Sequence, residues 1–240
     1  GSASAGDLAC LITKNNTNPF FVKMKEGAEA AATAAGLDFQ AYAGEKDGDA
    51  APQITAIENC IAGGAKGILI TPSNDSVGPA LKDARAAGIL VIALDTPLAD
   101  TEAQDMTFAT DNFEAGLLIG KWAAATMGDT SGAKIAMLDI NKDNISVDVA
   151  RDTGFLVGFG IEVPDLTVMG SETDARVIGH ETSNASVEGG VTAMENLLAK
   201  DPDINVVYTI NEPAAEGAYQ ARQNAGKEGA LIVSVDGGCP

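Results

Sequence analysis

A doubly wound α/β fold, with parallel sheets covered by helices on both faces, is predicted by three features of the chain. Short apolar runs alternate with longer amphipathic runs along all 240 residues, the βαβα rhythm of such folds. Several short runs, such as Gly67-Ile68-Leu69-Ile70 and Val91-Ile92-Ala93-Leu94, lack polar alternation. Strands buried on both faces look like that. Glycine and proline fall between the runs: Gly36, Gly88 and Gly226 follow Ala-rich helical stretches, and Pro72, Pro97, Pro164 and Pro213 follow apolar ones. Glycine there suits a left-handed helix end, and proline ends pairing without harming a helix interior.

The first predicted strand is 8–12, followed by a helix over 19–35, a strand over 38–43 and a helix over 51–62. Strand 67–70, helix 77–87 and strand 90–94 come next, then a short strand at 106–109. Asp111 suits an N-cap for a helix over 112–127. Strand 134–138, helix 149–158 and strand 166–169 follow, then helix 186–199, strand 206–210, helix 214–224 and strand 231–235. No low-complexity linker divides the chain, and no internal repeat is evident in it. If there are two lobes, residues 100–105 are the best first crossing. This gives a first lobe over 7–102 and a second over 103–235.

Composition excludes several classes. Apolar residues make up 45%, enough for a globular core, and no run of 18 apolar residues reads as a membrane span. Net charge is −19, which repels phosphate backbones and anionic membranes and argues against nucleic acid as a partner. Of three cysteines, Cys10 falls in the first strand and Cys60 in a later helix. Such positions fit a disulfide in an oxidising compartment and fit two buried thiols equally. Cys239 is the odd one. No Cys/His spacing marks a metal site, and no metal or cofactor is expected.

Polar residues gather after the strands: Asn18, Thr71 to Asp75, Asp95-Thr96-Pro97, Thr110-Asp111-Asn112, Asn141, Asp143, Asn144, Arg151, Asn211-Glu212-Pro213 and Asp236-Gly237-Gly238. In a parallel sheet these ends share one edge, where open α/β sheets bind ligands. Singly, each is ordinary turn chemistry. The most telling group is Asn18-Pro19-Phe20-Phe21. An amide and two rings at a strand-to-helix turn suit a ligand with hydroxyls and flat C–H faces, such as a monosaccharide. A helix start with two core phenylalanines fits the same residues.

The ordered set of NPFF, Ala93-Leu94-Asp95-Thr96, Thr110-Asp111-Asn112, Ala150-Arg151-Asp152-Thr153-Gly154-Phe155, Thr209-Ile210-Asn211-Glu212 and Ser234-Val235-Asp236-Gly237 resembles the periplasmic sugar-binding proteins of ribose type. Among these it is most similar to the ABC-transporter subgroup that takes fructose and related monosaccharides or polyols. The resemblance covers nearly the whole chain. It implies the periplasmic-binding-protein type I fold: two Rossmann-like lobes joined by a three-segment hinge and closing on one sugar in an interlobe cleft. It also implies a monomer that delivers its ligand to an ABC permease, in the periplasm or as an extracellular membrane-anchored lipoprotein of a Gram-positive host.

Carried over, Asn18 and Asp95 would bind hydroxyls from the first lobe, with Thr96 beside Asp95, and Phe20 and Phe21 would lie against the sugar. Arg151 and Asn211 would act from the second lobe, with Asp236 near the hinge. The family's ribose binders carry Arg where this chain has Thr96, and the second-lobe aromatic has no match around Asn184-Ala185-Ser186. Both departures argue for another sugar than ribose. The family also continues past Asp236, so residues 236–240 would be a hinge return, with the rest of the first lobe expected to be absent.

Competing functions lack their residues. A nicotinamide-dependent enzyme needs a glycine fingerprint where this chain has Thr13-Lys14-Asn15-Asn16-Thr17-Asn18. A hydrolase needs a nucleophile elbow, and none is present. His180, the single histidine, reads as a solvated loop residue. Asp47/Asp49 and Asp201/Asp203 read as solvated surface. No catalysis is expected. The rival is the effector-binding domain of a sugar-responsive LacI-type repressor, which shares the architecture but would carry a basic helix-turn-helix before its first strand.

Overall fold

The computed structural model describes residues 4–236. Cys239, Gly237 and Gly238 lie outside the described residues. The chain divides into two units, Gly1–Ala109 and Thr110–Pro240.

In the first unit, five parallel strands lie in the order β2-β1-β3-β4-β5. They are β1 (Leu8–Thr13), β2 (Asp38–Ala43), β3 (Gly67–Ile70), β4 (Leu90–Leu94) and β5 (Met106–Phe108). The helices are α1 (Pro19–Ala35), α2 (Ala51–Ala62) and α3 (Gly78–Ala86), with single 3-10 turns at Asp75–Val77 and Thr101–Ala103. Cys10, Ile12, Ile68, Ile70 and Val91 pack against Ile57, Cys60 and Leu81 of α2 and α3 in one buried cluster. Apolar burial of this kind is the main stabilising term. Cys10 and Cys60 are joined in a disulfide across that cluster, their Cα atoms 6.4 Å apart. Of the two readings the sequence left open, the structure holds the bonded one.

The second unit repeats the arrangement with four parallel strands in the order β7-β6-β8-β9. These are β6 (Ile135–Asp139), β7 (Val177–Thr182), β8 (Val206–Thr209) and β9 (Leu231–Ser234). Its helices are α4 (Asn112–Met127), α5 (Ser146–Phe159), α6 (Val187–Lys200) and α7 (Glu212–Asn224). Ile135, Met137, Val206 and Tyr208 pack with Phe155 and Phe159 in one cluster. Ala136, Leu138 and Val207 pack with Met194, Leu197 and Ala218 in another. Neighbouring strand residues therefore face opposite helix layers, which is why the sequence of these strands does not alternate.

Two expectations change. The strand after α5 is Val177–Thr182, and residues 166–169 form turns in which Leu166 and Val168 are exposed. β7 is an edge strand, half-buried throughout and paired only with β6, so its sequence, VIGHET, is largely polar. The lobe crossing at 102/103 moves to 109/110 because Met106–Phe108 pairs with β4 and extends the first sheet.

α4 and α5 touch through glycine. A Cβ on Gly116 would lie 2.2 Å from the carbonyl oxygen of Arg151, and one on Gly154 would lie 2.3 Å from that of Phe113. Only glycine lets the two backbones approach this closely. This contact sets the position of the α5 turn that carries Arg151.

Candidate functional site

The predicted residues sit at the carboxyl ends of the strands, in two groups, one in each unit. In the first unit, Asn18 caps α1: its Oδ1 accepts from Phe20 N at 2.9 Å. Its Nδ2 makes no hydrogen bond with another described residue. Phe20 is 44% exposed, whereas Phe21 is buried; the rings meet edge to face with centroids 5.3 Å apart. One ring therefore packs in the interior and one is exposed. Asp95 follows β4 with φ +64°, a left-handed conformation that non-glycine residues rarely hold. Its Oδ2 accepts from Thr96 Oγ1 at 2.8 Å and pairs with Lys14 Nζ at 3.2 Å. Thr96 is thus buried and committed to Asp95.

Lys14, Asn15 and Asp47 belong to this edge, and the sequence reading missed them. Asn15 Oδ1 accepts from the backbone of Thr17 and Asn18, and its Nδ2 donates to Asp47 Oδ1 at 2.7 Å. Asn15 therefore shapes the turn that presents Asn18. Asp47 is buried rather than solvated. Burial, offset partly by Lys14 and Asn15, pushes its carboxyl above the usual range. Gln53 of α2 bridges the ends of β1 and β3, donating to Thr13 O and Thr71 O and accepting from Ser73 N. Lys14, Asp47 and Gln53 act on neighbours far along the chain, so nothing local in sequence marks them; Asn15 also holds a local turn to Thr17 and Asn18.

In the second unit, Arg151 is buried on α5. Its Nε donates to Asn112 Oδ1 at 2.9 Å and its Nη1 to Ile210 O at 3.0 Å, while Nη2 lies 3.6 Å from Asp236 Oδ1. The guanidinium is held from three sides by the protein itself. Asn211 caps α7 through Oδ1 and donates from Nδ2 to Ala185 O at 3.2 Å, so its amide is largely used within the protein. Asp236 has φ +87°. Asp111 caps α4, and Asn141 accepts from Asp143 N in a turn. The structure brings Arg151, Asn112, Ile210 and Asp236 together, and leaves Asn141, Asp143 and Asn144 as exposed or half-buried turn residues.

A family model, periplasmic binding protein domain, matches residues 9–239. The chain belongs to this family. Among its relatives, the ribose import binding protein RbsB of Escherichia coli K12 is 30% identical over 237 residues, 98% of this chain and 74% of that protein. A D-apiose import binding protein of Actinobacillus succinogenes is 26% identical over 232 residues, 96% of this chain and 70% of that one. Among solved structures, an ABC transporter periplasmic solute-binding protein of Actinobacillus succinogenes with bound D-allose is similar at TM-score 0.77 and 26% identity, covering 95% of this chain and 77% of that one. No helix among the described residues is long and apolar enough to cross a membrane.

A further polar cluster of the second unit stands outside the predicted set. His180 is not a solvated loop residue but lies on β7 with both ring nitrogens against carboxylates. Nδ1 is 2.8 Å from Asp139 Oδ2 and Nε2 is 2.9 Å from Glu172 Oε1. Burial lowers its pKa, but the hydrogen bonds to Asp139 and Glu172 raise it to about 11. Burial also pushes Glu172 up, yet the bond from His180 outweighs it and holds that carboxyl below the usual range. Asp152 is completely buried, and burial together with the nearby Asp139 raises its carboxyl well above the usual range.

Proposed function

We propose that the chain is the substrate-binding component of an ABC sugar importer, without catalysis, and that it binds one monosaccharide or polyol, a fructose-like hexose or a pentose. The observation that carries this reading is the guanidinium of Arg151. It is buried, fixed by Asn112 and Ile210, and set beside the Asp236 carboxylate. A prearranged donor next to an acceptor suits vicinal hydroxyls, and fixing it beforehand lowers the entropy cost of binding. Asp95 with Lys14 offers a second such pair, and the open face of Phe20 suits sugar C–H groups. The import proteins among the relatives, named for ribose and D-apiose, support a transport role over a repressor's effector domain. They also support a binding protein rather than an enzyme.

In this reading Asn18, Phe20, Asp95, Arg151 and Asp236 contact the sugar. Phe21, Thr96 and Asn211 hold them in place. Ligand contacts to both units favour a closed state that an ABC permease recognises. The protein acts as a monomer outside the cytoplasmic membrane.

The test is thermal unfolding of the protein against pentoses, hexoses, ketoses and polyols, since binding to the folded state raises the midpoint by mass action. One sugar or a close set is expected to shift it. Asp95→Asn and Arg151→Lys keep size and, at Asp95, tolerance of the left-handed backbone. Each is expected to weaken binding at least tenfold in calorimetry. Unchanged affinity in both variants would remove these residues from the site.

A further inference from the structure

Asp139, Asp152, His180 and Glu172 are not needed by the sugar reading, and they come from four separate parts of the second unit. Asp139 ends β6, Asp152 lies on α5, His180 lies on β7, and Glu172 belongs to the long connection between α5 and β7. Strand register brings Asp139 and His180 together: Met137 stands opposite His180, two residues before Asp139.

The donor atoms are spaced like ligands of one ion. His180 Nδ1 is 2.8 Å from Asp139 Oδ2 and 3.5 Å from Asp152 Oδ2. One donor from each of the three residues lies within 4.8 Å of the others. Ligands bonded at about 2.0–2.2 Å to a divalent ion stand roughly 2.9–3.5 Å apart. The other nitrogen of the imidazole, Nε2, meets Glu172 Oε1 at 2.9 Å. A carboxylate on the far nitrogen is the usual support of a metal-bound histidine, fixing its tautomer and ring plane.

An independent observation points the same way. Asp152 is fully buried, and neither of its oxygens accepts a hydrogen bond. Asp139 Oδ1 and Glu172 Oε2 are also without one. Buried carboxylates are ordinarily paired or hydrogen-bonded, or else coordinate a metal.

We propose that Asp139, Asp152 and His180 form a structural site for a divalent transition-metal cation such as Zn2+, with Glu172 positioning the imidazole. An imidazole with carboxylates selects ions of this kind over Ca2+ and Mg2+, which prefer all-oxygen shells. The ion would tie β6, β7 and α5 together and, through Glu172, anchor the connection between α5 and β7. The sequence expectation of no metal arose because the three ligands share no local spacing.

The test uses the full chain after dialysis against a chelator. Zn2+, Co2+ and Ca2+ are added separately at equal concentration, and thermal midpoint, calorimetric stoichiometry and Co2+ absorption are read. About one Zn2+ per chain, a midpoint raised by several degrees with Zn2+ and Co2+ but not Ca2+, and visible Co2+ bands are expected. Asp152→Asn replaces the buried ionisable carboxyl by an amide of the same shape, so this variant is expected to fold with a midpoint at or above that of the metal-free parent, yet show no shift with Zn2+. His180→Gln is expected to lose the Co2+ bands. No response of the parent to any ion would overturn the proposal, and so would a response that persists unchanged in both variants. Sugar binding of the same dialysed sample is a separate readout and does not depend on this result.

Discussion

β1 and β6 occupy the same place in their sheets, with β2 or β7 outside and β3 or β8 inside. Beyond β1 each buried polar group finds one partner: Lys14 forms an ion pair with Asp95, and the Asn15 amide donates to Asp47. At the end of β6, Asp139 instead meets a histidine that a second aspartate, Asp152, also faces. The same parallel topology thus collects polar side chains at the same edge in both units. Which charges balance is decided by individual residues. The bracing also differs: the first unit joins strand to helix by Cys10–Cys60, and the second presses α4 on α5 through glycine.

Reduction is the strongest test of that difference. The disulfide closes a sequence separation of 50 residues. Cross-links over loops of this length stabilise by about 4 kcal/mol in the chain-entropy model. Reducing agent, or Cys10→Ala with Cys60→Ala, is expected to lower the unfolding transition of the first unit and spare the second. Hydrogen exchange resolved by segment checks this. Equal loss of protection in α4 and α5 would show that the units do not unfold independently.

A glycine pair probes the other brace. Gly116→Ala forces a methyl group into the α5 backbone, 2.2 Å from Arg151 O. Overpacking against backbone is expected to cost about 3 kcal/mol and to displace Arg151. Gly27→Ala, on the exposed side of α1 with nothing within 4 Å of the new Cβ, is expected to stabilise by up to about 1 kcal/mol through helix propensity. Urea unfolding of both variants measures the contrast, and sugar affinity should fall only in Gly116→Ala.

The sequence carried the repetitive part of this comparison and not the particular part. α1, α2, α4 and β2 to β4 follow its periodicity residue for residue, although β2 itself buries none of its residues and α1 only Phe21 and Ala32. β7 escaped because an edge strand needs little apolar character, while the turn after α5 holds Leu166 and Val168 at its surface. The doubled strand order left no visible repeat, since topology constrains where apolar residues fall and not which ones they are. Asn18, Asp95, Arg151 and Asp236 were legible as polar residues after strands. Lys14, Asn15, Asp47 and His180 were not, because their partners lie up to 81 residues away and only the register of the sheets brings them together.

Acid provides the smallest and sharpest contrast. Asp105 lies just before β5 and binds both its neighbours: its Oδ1 accepts from Arg85 of α3 and its Oδ2 from Val91 N of β4. The bond from Arg85, then that from Val91, holds the carboxyl below its ordinary value of 3.8. A depressed folded-state pKa contributes stability that is complete above the unfolded value and fades as pH falls through the folded one. The first unit is therefore expected to weaken as pH drops below about 4, by no more than about 1 kcal/mol for so open a pair. Asp105→Asn retains the acceptor for Val91 N and is expected to flatten that part of the acid profile, with a small loss at neutral pH. High salt should shrink the difference between the two proteins. If the variant and the parent lose stability in parallel between pH 4 and pH 3, the acid sensitivity belongs to other carboxylates, and the Arg85–Asp105 tie between α3 and β5 does not contribute to holding this edge of the first sheet.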